Sequence, residues 1–188
     1  MKFDLEKIMK DVKNSLSEKR YIHSVGVMKQ AEYLAEKYGQ DIEVAKTVGI
    51  AHDIAKEMSQ EEKLNYVKEN NIEIDEIEKI NVGLLHAKIG ADICKKKYNF
   101  NEDMQNAIKY HTTGNEKMDT LAKIIFVADK TEENRKYEDL ETVKKLADES
   151  LDKCMLYILN YMLVDNVKKE KLIHPDSINL RNKIMIEK

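Results

Sequence analysis

The stretch SEKRYIHSVGVMKQAEYLAEKYGQD, residues 17–41, sets the architecture. His23, Val27 and Ala31 recur at intervals of four, which places them on one helical face. The pattern predicts a helix from about Glu18 to Tyr38, stopped by Gly39, and Asp41 then caps a further helix over about 42–55. On that helix Ala45, Val48 and His52 share a face. The same period continues outward in both directions. Leu5, Ile8, Met9, Val12 and Leu16 line a first helix, and Ser59 with Glu62 forms a capping box for a fourth through about Glu69. Further helical patterns cover about 82–97, 101–110, 120–134 and 141–169, and Pro175 opens a short last helix. Strand-type alternation competes nowhere. The expectation is an all-α fold: a single domain over 1–188, with its core at about 15–165 and a C-terminal helical extension to 188.

Composition agrees. A chain of 188 residues suits one domain, and six glycines with one proline disfavour turn-rich all-β, collagen-like or linker-like readings. Charged residues make up 36%, yet the net charge is −3, which argues against a basic nucleic-acid-binding chain. No nucleic-acid partner is expected. The densest apolar run, Ile124 to Ala128, is far shorter than the roughly 18–20 residues of a membrane span, and the start MKFDLEKIMKDVK lacks an apolar signal core. No membrane partner and a cytoplasmic location are therefore expected. Cys94 and Cys154 form no CxxC and read as buried small hydrophobes in a reducing compartment. The pattern Leu146, Leu151, Met155, Ile158, Leu159, Met162 and Leu163 reads as core or as the face of a homodimer.

The chemistry-bearing residues concentrate on the apolar helices. His23, His52, His86 and His111 each lie in or beside an apolar helical pattern. One such histidine is ordinarily a satisfied core residue, but four leave eight ring nitrogens to satisfy, and a shared metal ion satisfies several at once. Asp129 follows Ile-Ile-Phe-Val-Ala, and Asp53 ends another apolar stretch beside His52. A buried, unpaired carboxylate costs several kcal/mol or more, so both need a cation or a set of donors. His23, His52, Asp53 and Asp129 together offer imidazole and carboxylate ligands suited to iron, manganese or zinc. Only three of the 32 basic residues are arginines, and two lie close by: Arg20 shares a helical face with His23, and Arg135 follows Asp129 by six residues. Lys56 adds a point charge, and His111-Thr112-Thr113-Gly114 reads either as a phosphate cradle or as a plain helix stop.

The ordered set RYIHS (20–24), GIAHDIAK (49–56), LLHAKIGA (84–91), AIKYHTTG (107–114) and VADKTEENR (127–135) resembles the HD superfamily of metal-dependent phosphohydrolases. Within it, the set is most similar to the YqeK-type symmetrical bis(5′-nucleosyl)-tetraphosphatases. The resemblance spans about 15–165 and implies an HD-domain helical bundle in which His23, His52, Asp53 and Asp129 hold a metal. It implies iron, as one or two ions, with manganese or another divalent transition metal as the alternative. His86 and His111 match positions that either bind a second metal or face substrate phosphates. The implied reaction is hydrolysis of a dinucleoside tetraphosphate, such as diadenosine tetraphosphate, to two nucleoside diphosphates. Asp53, His86 and His111 are its catalytic candidates, and Arg20, Lys56, His86, His111, Thr112, Thr113 and Arg135 its substrate-binding candidates. Alternatives are an HD phosphohydrolase acting on nucleoside mono- or triphosphates or a signalling nucleotide, and a non-catalytic nucleotide-binding module. The family's last motif carries Ile and Pro where this chain has Thr131 and Glu133, which leaves the path of the 131–135 loop open.

Overall fold

The computed structural model describes residues 3–136 and 139–187, so the first two residues of the expected domain, 137–138 and 188 lie outside the described residues. Among the described residues there is no strand. The helices are α1 (Leu5–Ser15), α2 (Glu18–Lys37), α3 (Ile42–Ala51), α4 (Gln60–Glu69), α5 (Glu76–Ile80), α6 (Leu85–Tyr98), α7 (Glu102–Tyr110), α8 (Thr120–Thr131), α9 (Leu140–Glu149), α10 (Leu151–Lys168) and α11 (Pro175–Ile186). A 3-10 turn, Val82–Leu84, leads into α6.

Local chemistry accounts for most of these ends. The Asp41 carboxylate accepts from the Val44 N–H, Ser59 and Glu62 make the expected capping box, and Gly39 closes α2 at φ 66°. Asp75 and Glu78 form a second capping box that opens α5, an element the sequence reading passed over although the same signal was present. Three boundaries differ from expectation. α3 stops at Ala51 rather than near 55, because the next residues make tighter i to i+3 bonds, Ile54 N–H to Ala51 O and Lys56 N–H to Asp53 O. The single helix expected over 141–169 is two, since Ser150 is extended at φ −166° and its hydroxyl caps α10. α8 ends at Thr131, where Glu132 turns to extended backbone, and α11 is a full 12 residues.

α8 is the axis of the core. Ile124, Ile125, Phe126, Val127 and Ala128 are all 0% exposed, so this helix is enclosed on every side. α1, α2, α3, α7 and α10 surround it with Val12, Leu34, Val48, Ile108 and Leu159. α2 and α3 pack tightly at Gly49, where a Cβ would stand 3.0 Å from the Met28 backbone. A second cluster, Ala55, Val67, Val82, Leu85 and Ile89, seats α4 and the 3-10 turn against α6. Met155, Ile158 and Leu159 of α10 belong to the main core, whereas Met162 and Leu163 are half-buried. The enclosed α8 carries its next residue, Asp129, inward with it.

Candidate functional site

Five segments deliver their side chains to one point. His23 comes from α2, His52 and Asp53 from the end of α3, His86 from the first turn of α6, His111 from the end of α7, and Asp129 from the last turn of α8. All six are buried, between 0% and 8% exposed. Adjacent imidazole rings meet edge-on, with centroids 5.4 Å apart for His23 and His52, 5.0 Å for His52 and His111, and 5.0 Å for His86 and His111.

The orientation of each ring is held by a bond at Nδ1. His52 Nδ1 lies 2.7 Å from Gly49 O, His86 Nδ1 2.6 Å from Gly83 O, and His111 Nδ1 2.6 Å from Ile108 O. A carbonyl only accepts, so each Nδ1 carries the proton and each Nε2 is left with a lone pair. His23 differs: its Nδ1–H donates to Glu132 Oε1 at 3.1 Å. Glu132 is itself buried, and its Oε2 accepts from the Asn134 backbone N–H at 2.6 Å and side-chain amide at 2.9 Å. Space for that carboxylate exists because residue 26 is glycine; a Cβ there would lie 2.3 Å from Glu132 Oε2. Sequence reasoning gave Glu132 no role in the site. Its signal was indirect, a carboxylate three residues after Asp129.

With the protons on Nδ1, the inward atoms are electron-rich and crowded. His23 Nε2 is 3.0 Å and His52 Nε2 3.8 Å from Asp129 Oδ1, and His52 Nε2 is 3.7 Å from Asp53 Oδ2. Asp53 Oδ1 faces His86 Nε2 at 3.2 Å and His111 Nε2 at 3.4 Å. Although these distances suit polar contact, His23 Nε2, His52 Nε2 and Asp53 Oδ1 make no aligned hydrogen bond, and all are buried. Lone pair faces lone pair at close range. Only a shared cation or proton makes such an arrangement favourable, and one ligand atom from each of His23, His52 and Asp129, or of His52, Asp53 and His111, lies within 4.8 Å of the others in its set. The residues therefore fit a metal ion.

Electrostatics keep the ligands in the required charge states. Burial, helped by the neighbouring His111 and, at His86, by Lys56, drives the His52 pKa to about 3 and that of His86 to about 4 against the opposing pull of Asp53, so both rings are neutral at pH 7. Burial would raise the Asp53 carboxyl, but the His52, His111 and His86 imidazoles packed around it hold it well below the usual range. Asp129 is likewise held low against burial by Lys130, His23, His52 and Arg135.

The surrounding cations are arranged unequally. Arg20 Nη1 stands 3.7 Å from Asp53 Oδ2, and Lys56 Nζ is 3.7 Å from Asp53 Oδ1 and 3.0 Å from His86 Nε2. Arg135 is turned onto Asp129, its Nε donating to Asp129 O at 2.7 Å and its Nη2 to Oδ1 at 2.5 Å. The Thr112 hydroxyl joins the cluster, 3.1 Å from His111 Nε2 and 3.3 Å from His86 Nε2. Thr113 does not: its hydroxyl donates to Gly114 O, and its carbonyl accepts from Ser177. Past the cluster, the 131–135 path is a turn, closed by Arg135 N–H to Glu132 O, with Thr131 bonded back to Val127 O and Glu133 pointing out to Lys29. His174 lies away from the site, capping α11 and bonded to Asp75.

Comparison with known proteins follows the same pattern. The HD domain model matches residues 20–134. A protein of Bacillus subtilis named symmetrical bis(5′-nucleosyl)-tetraphosphatase is 35% identical over 173 residues, covering 92% of each chain. A protein of Halalkalibacterium halodurans with the same name is 35% identical over 182 residues, 96% of this chain and 97% of that one. A crystal structure from Clostridium acetobutylicum, described as a predicted HD superfamily hydrolase involved in NAD metabolism, superposes with a TM-score of 0.95 at 34% identity over the full length of both chains.

Proposed function

From the premise that this chain belongs to the HD domain family, we propose that it hydrolyses dinucleoside tetraphosphates symmetrically, converting diadenosine tetraphosphate and one water into two molecules of ADP. The observation that carries the reading is the set of four buried histidines, each with Nδ1–H committed to a protein acceptor and Nε2 turned toward Asp53 and Asp129. The relatives named for this reaction share nearly the whole chain, which supports the substrate class.

The primary ion is assigned to His23, His52, Asp53 and Asp129, because His23 Nε2, His52 Nε2 and Asp53 Oδ1 are buried without an aligned partner and the Asp129 carboxylate faces both histidines. Iron is the assigned metal, with manganese or another divalent transition metal as the alternative that imidazole and carboxylate ligands also accept. When bound, such an ion lowers the pKa of a water molecule and so makes a nucleophile available at neutral pH. His86 and His111 already have Lys56 and Thr112 against their Nε2 atoms, an arrangement that suits contact with phosphate oxygens. Asp53, whose two oxygens face different histidines, is placed to serve both groups. Arg20 and Lys56 supply positive charge where the transferring phosphoryl group gains negative charge. Arg135 acts through Asp129, holding its carboxylate in place rather than reaching the phosphates. A nucleoside diphosphate is a good leaving group, so the reaction needs no dedicated strong acid.

Metal analysis of the purified protein, combined with chromatography of the products from diadenosine tetraphosphate, tests the proposal. ADP alone is expected, with stoichiometric transition metal, and His52→Ala or Asp53→Ala should abolish both metal and turnover. ATP plus AMP, or no turnover beside rapid hydrolysis of mononucleotides or of NAD, would overturn it.

A further inference from the structure

Asp129 is held from two directions. Arg135 bonds its Oδ1 and Lys130 its Oδ2, and the two cations line different cavities. Arg135 borders a polar groove of about 740 Å³ that also takes in Arg20 and His23. Lys130 borders a cavity of about 250 Å³ of the opposite character, formed between the end of α8 and helices α9 and α10. Val143 and Ile158 are buried in it, Tyr157 and Met162 are half-buried, and Tyr161 stands 60% exposed at its edge.

Core packing does not explain this composition. Two tyrosines, Tyr157 and Tyr161, line this largely apolar cavity, and Asp139 offers a carboxylate. Asp139 occupies the N-cap position of α9, yet its side chain takes no bond from the helix backbone; it accepts from the Tyr157 hydroxyl instead. Aromatic faces, an apolar base and an acceptor that meets N–H donors are together what a planar heteroaromatic ring requires. The link to the metal cluster is short, because Lys130 touches both the cavity and the Asp129 carboxylate.

We infer that this cavity is a nucleobase subsite: one base of the substrate stacks against Tyr157 and Tyr161 and offers an amino or ring N–H to Asp139, while its phosphates run past Lys130 to the metal cluster. The inference rests on the proposed nucleotide substrate. Base–aromatic stacking is worth about 5- to 150-fold in affinity per base, so the effect is measurable.

Calorimetry on the metal-loaded full chain compares ADP with ribose 5-diphosphate, the same molecule without its base. Wild type should bind ADP at least tenfold more tightly. Tyr157→Ala and Tyr161→Ala should each weaken ADP fivefold or more while leaving ribose 5-diphosphate binding and metal content unchanged, and Tyr157→Phe should stay within about twofold of wild type. Because Tyr161 is largely exposed, its variant decides the matter even where Tyr157→Ala fails to fold. No advantage for ADP in wild type, or equal weakening of both ligands, would overturn the assignment. So would a changed sedimentation coefficient for Tyr161→Ala with the ligand ratio intact, which would give the cavity to a second copy of the chain. These readouts are independent of turnover, so failure to hydrolyse diadenosine tetraphosphate would sink the proposed reaction while the ligand ratio still decides the subsite.

Discussion

Replacing Gly26 by alanine should weaken metal binding, although residue 26 touches no proposed ligand atom. The new Cβ would lie 2.3 Å from Glu132 Oε2, against the 3.0 Å that such contacts essentially never undercut, so the carboxylate must withdraw by 0.7 Å or more. It has little freedom to do so, because Oε1 is bonded to His23 Nδ1 at 3.1 Å and Oε2 to Asn134 at 2.6 and 2.9 Å. A displacement of that size takes the His23 contact beyond hydrogen-bond range. Alanine itself gains about 1 kcal/mol over glycine inside a helix, whereas each lost bond to a charged group costs about 1.5–3 kcal/mol. With two such bonds disturbed, a net loss of about 2 kcal/mol is expected. Losing the carboxylate behind a metal-ligating histidine typically lowers metal affinity about 10- to 100-fold. Chelator competition measures that affinity, and thermal unfolding of the metal-free protein measures the stability. A variant that gains about 1 kcal/mol and keeps its metal affinity within twofold would refute the reasoning, since Glu132 would then have moved without consequence for His23.

Further outcomes are expected. His174→Ala removes the cap of α11 and the bond to Asp75, so it should cost about 0.5–2 kcal/mol in thermal unfolding and leave turnover within about twofold; collapse of activity would contradict the site assignment. Burial pushes the Cys94 thiol up strongly and that of Cys154 to about 12, so neither should react with iodoacetamide at pH 8 until denaturant is added, as read by mass spectrometry. The metal-free protein should lose stability in acid. The His52 pKa, lowered by burial to about 3, and the depressed Asp53 both make the folded state bind fewer protons than the unfolded chain, so stability should fall as pH drops below about 6.5 and fall further below about 4. Melting temperatures that stay level from pH 7 to pH 5 would contradict this.

Most helix limits were legible because caps and breakers act locally. Asp41, Ser59 with Glu62, and Gly39 are read correctly from four or five residues of context. The errors fall where a neighbour far along the chain competes. Periodicity carried the 141–169 pattern straight through Ser150, while the fold needs a change of direction there so that α9 and α10 can both pack on α8. The same holds at the site. Arg135 was legible as a basic residue near the ligands, but nothing in the linear sequence turned its guanidinium onto Asp129 rather than toward a phosphate. Thr112 and Thr113 are indistinguishable as neighbours in sequence, and only the end of α7 decides that one hydroxyl enters the cluster and the other leaves it.

The sequence by itself determined the all-α architecture, most of the helices and the identity of the six converging side chains, because period, capping and the cost of burying a carboxylate are properties of short segments. The tertiary structure alone decided which nitrogen of each histidine faces inward, that Glu132 stands behind His23 in the space left by Gly26, and that an apolar cavity lies across Lys130 from the cluster. Those outcomes depend on atoms up to 109 positions apart in sequence coming within hydrogen-bond distance. No local pattern encodes such a distance; it arises where α2 and α3 pack against the enclosed α8.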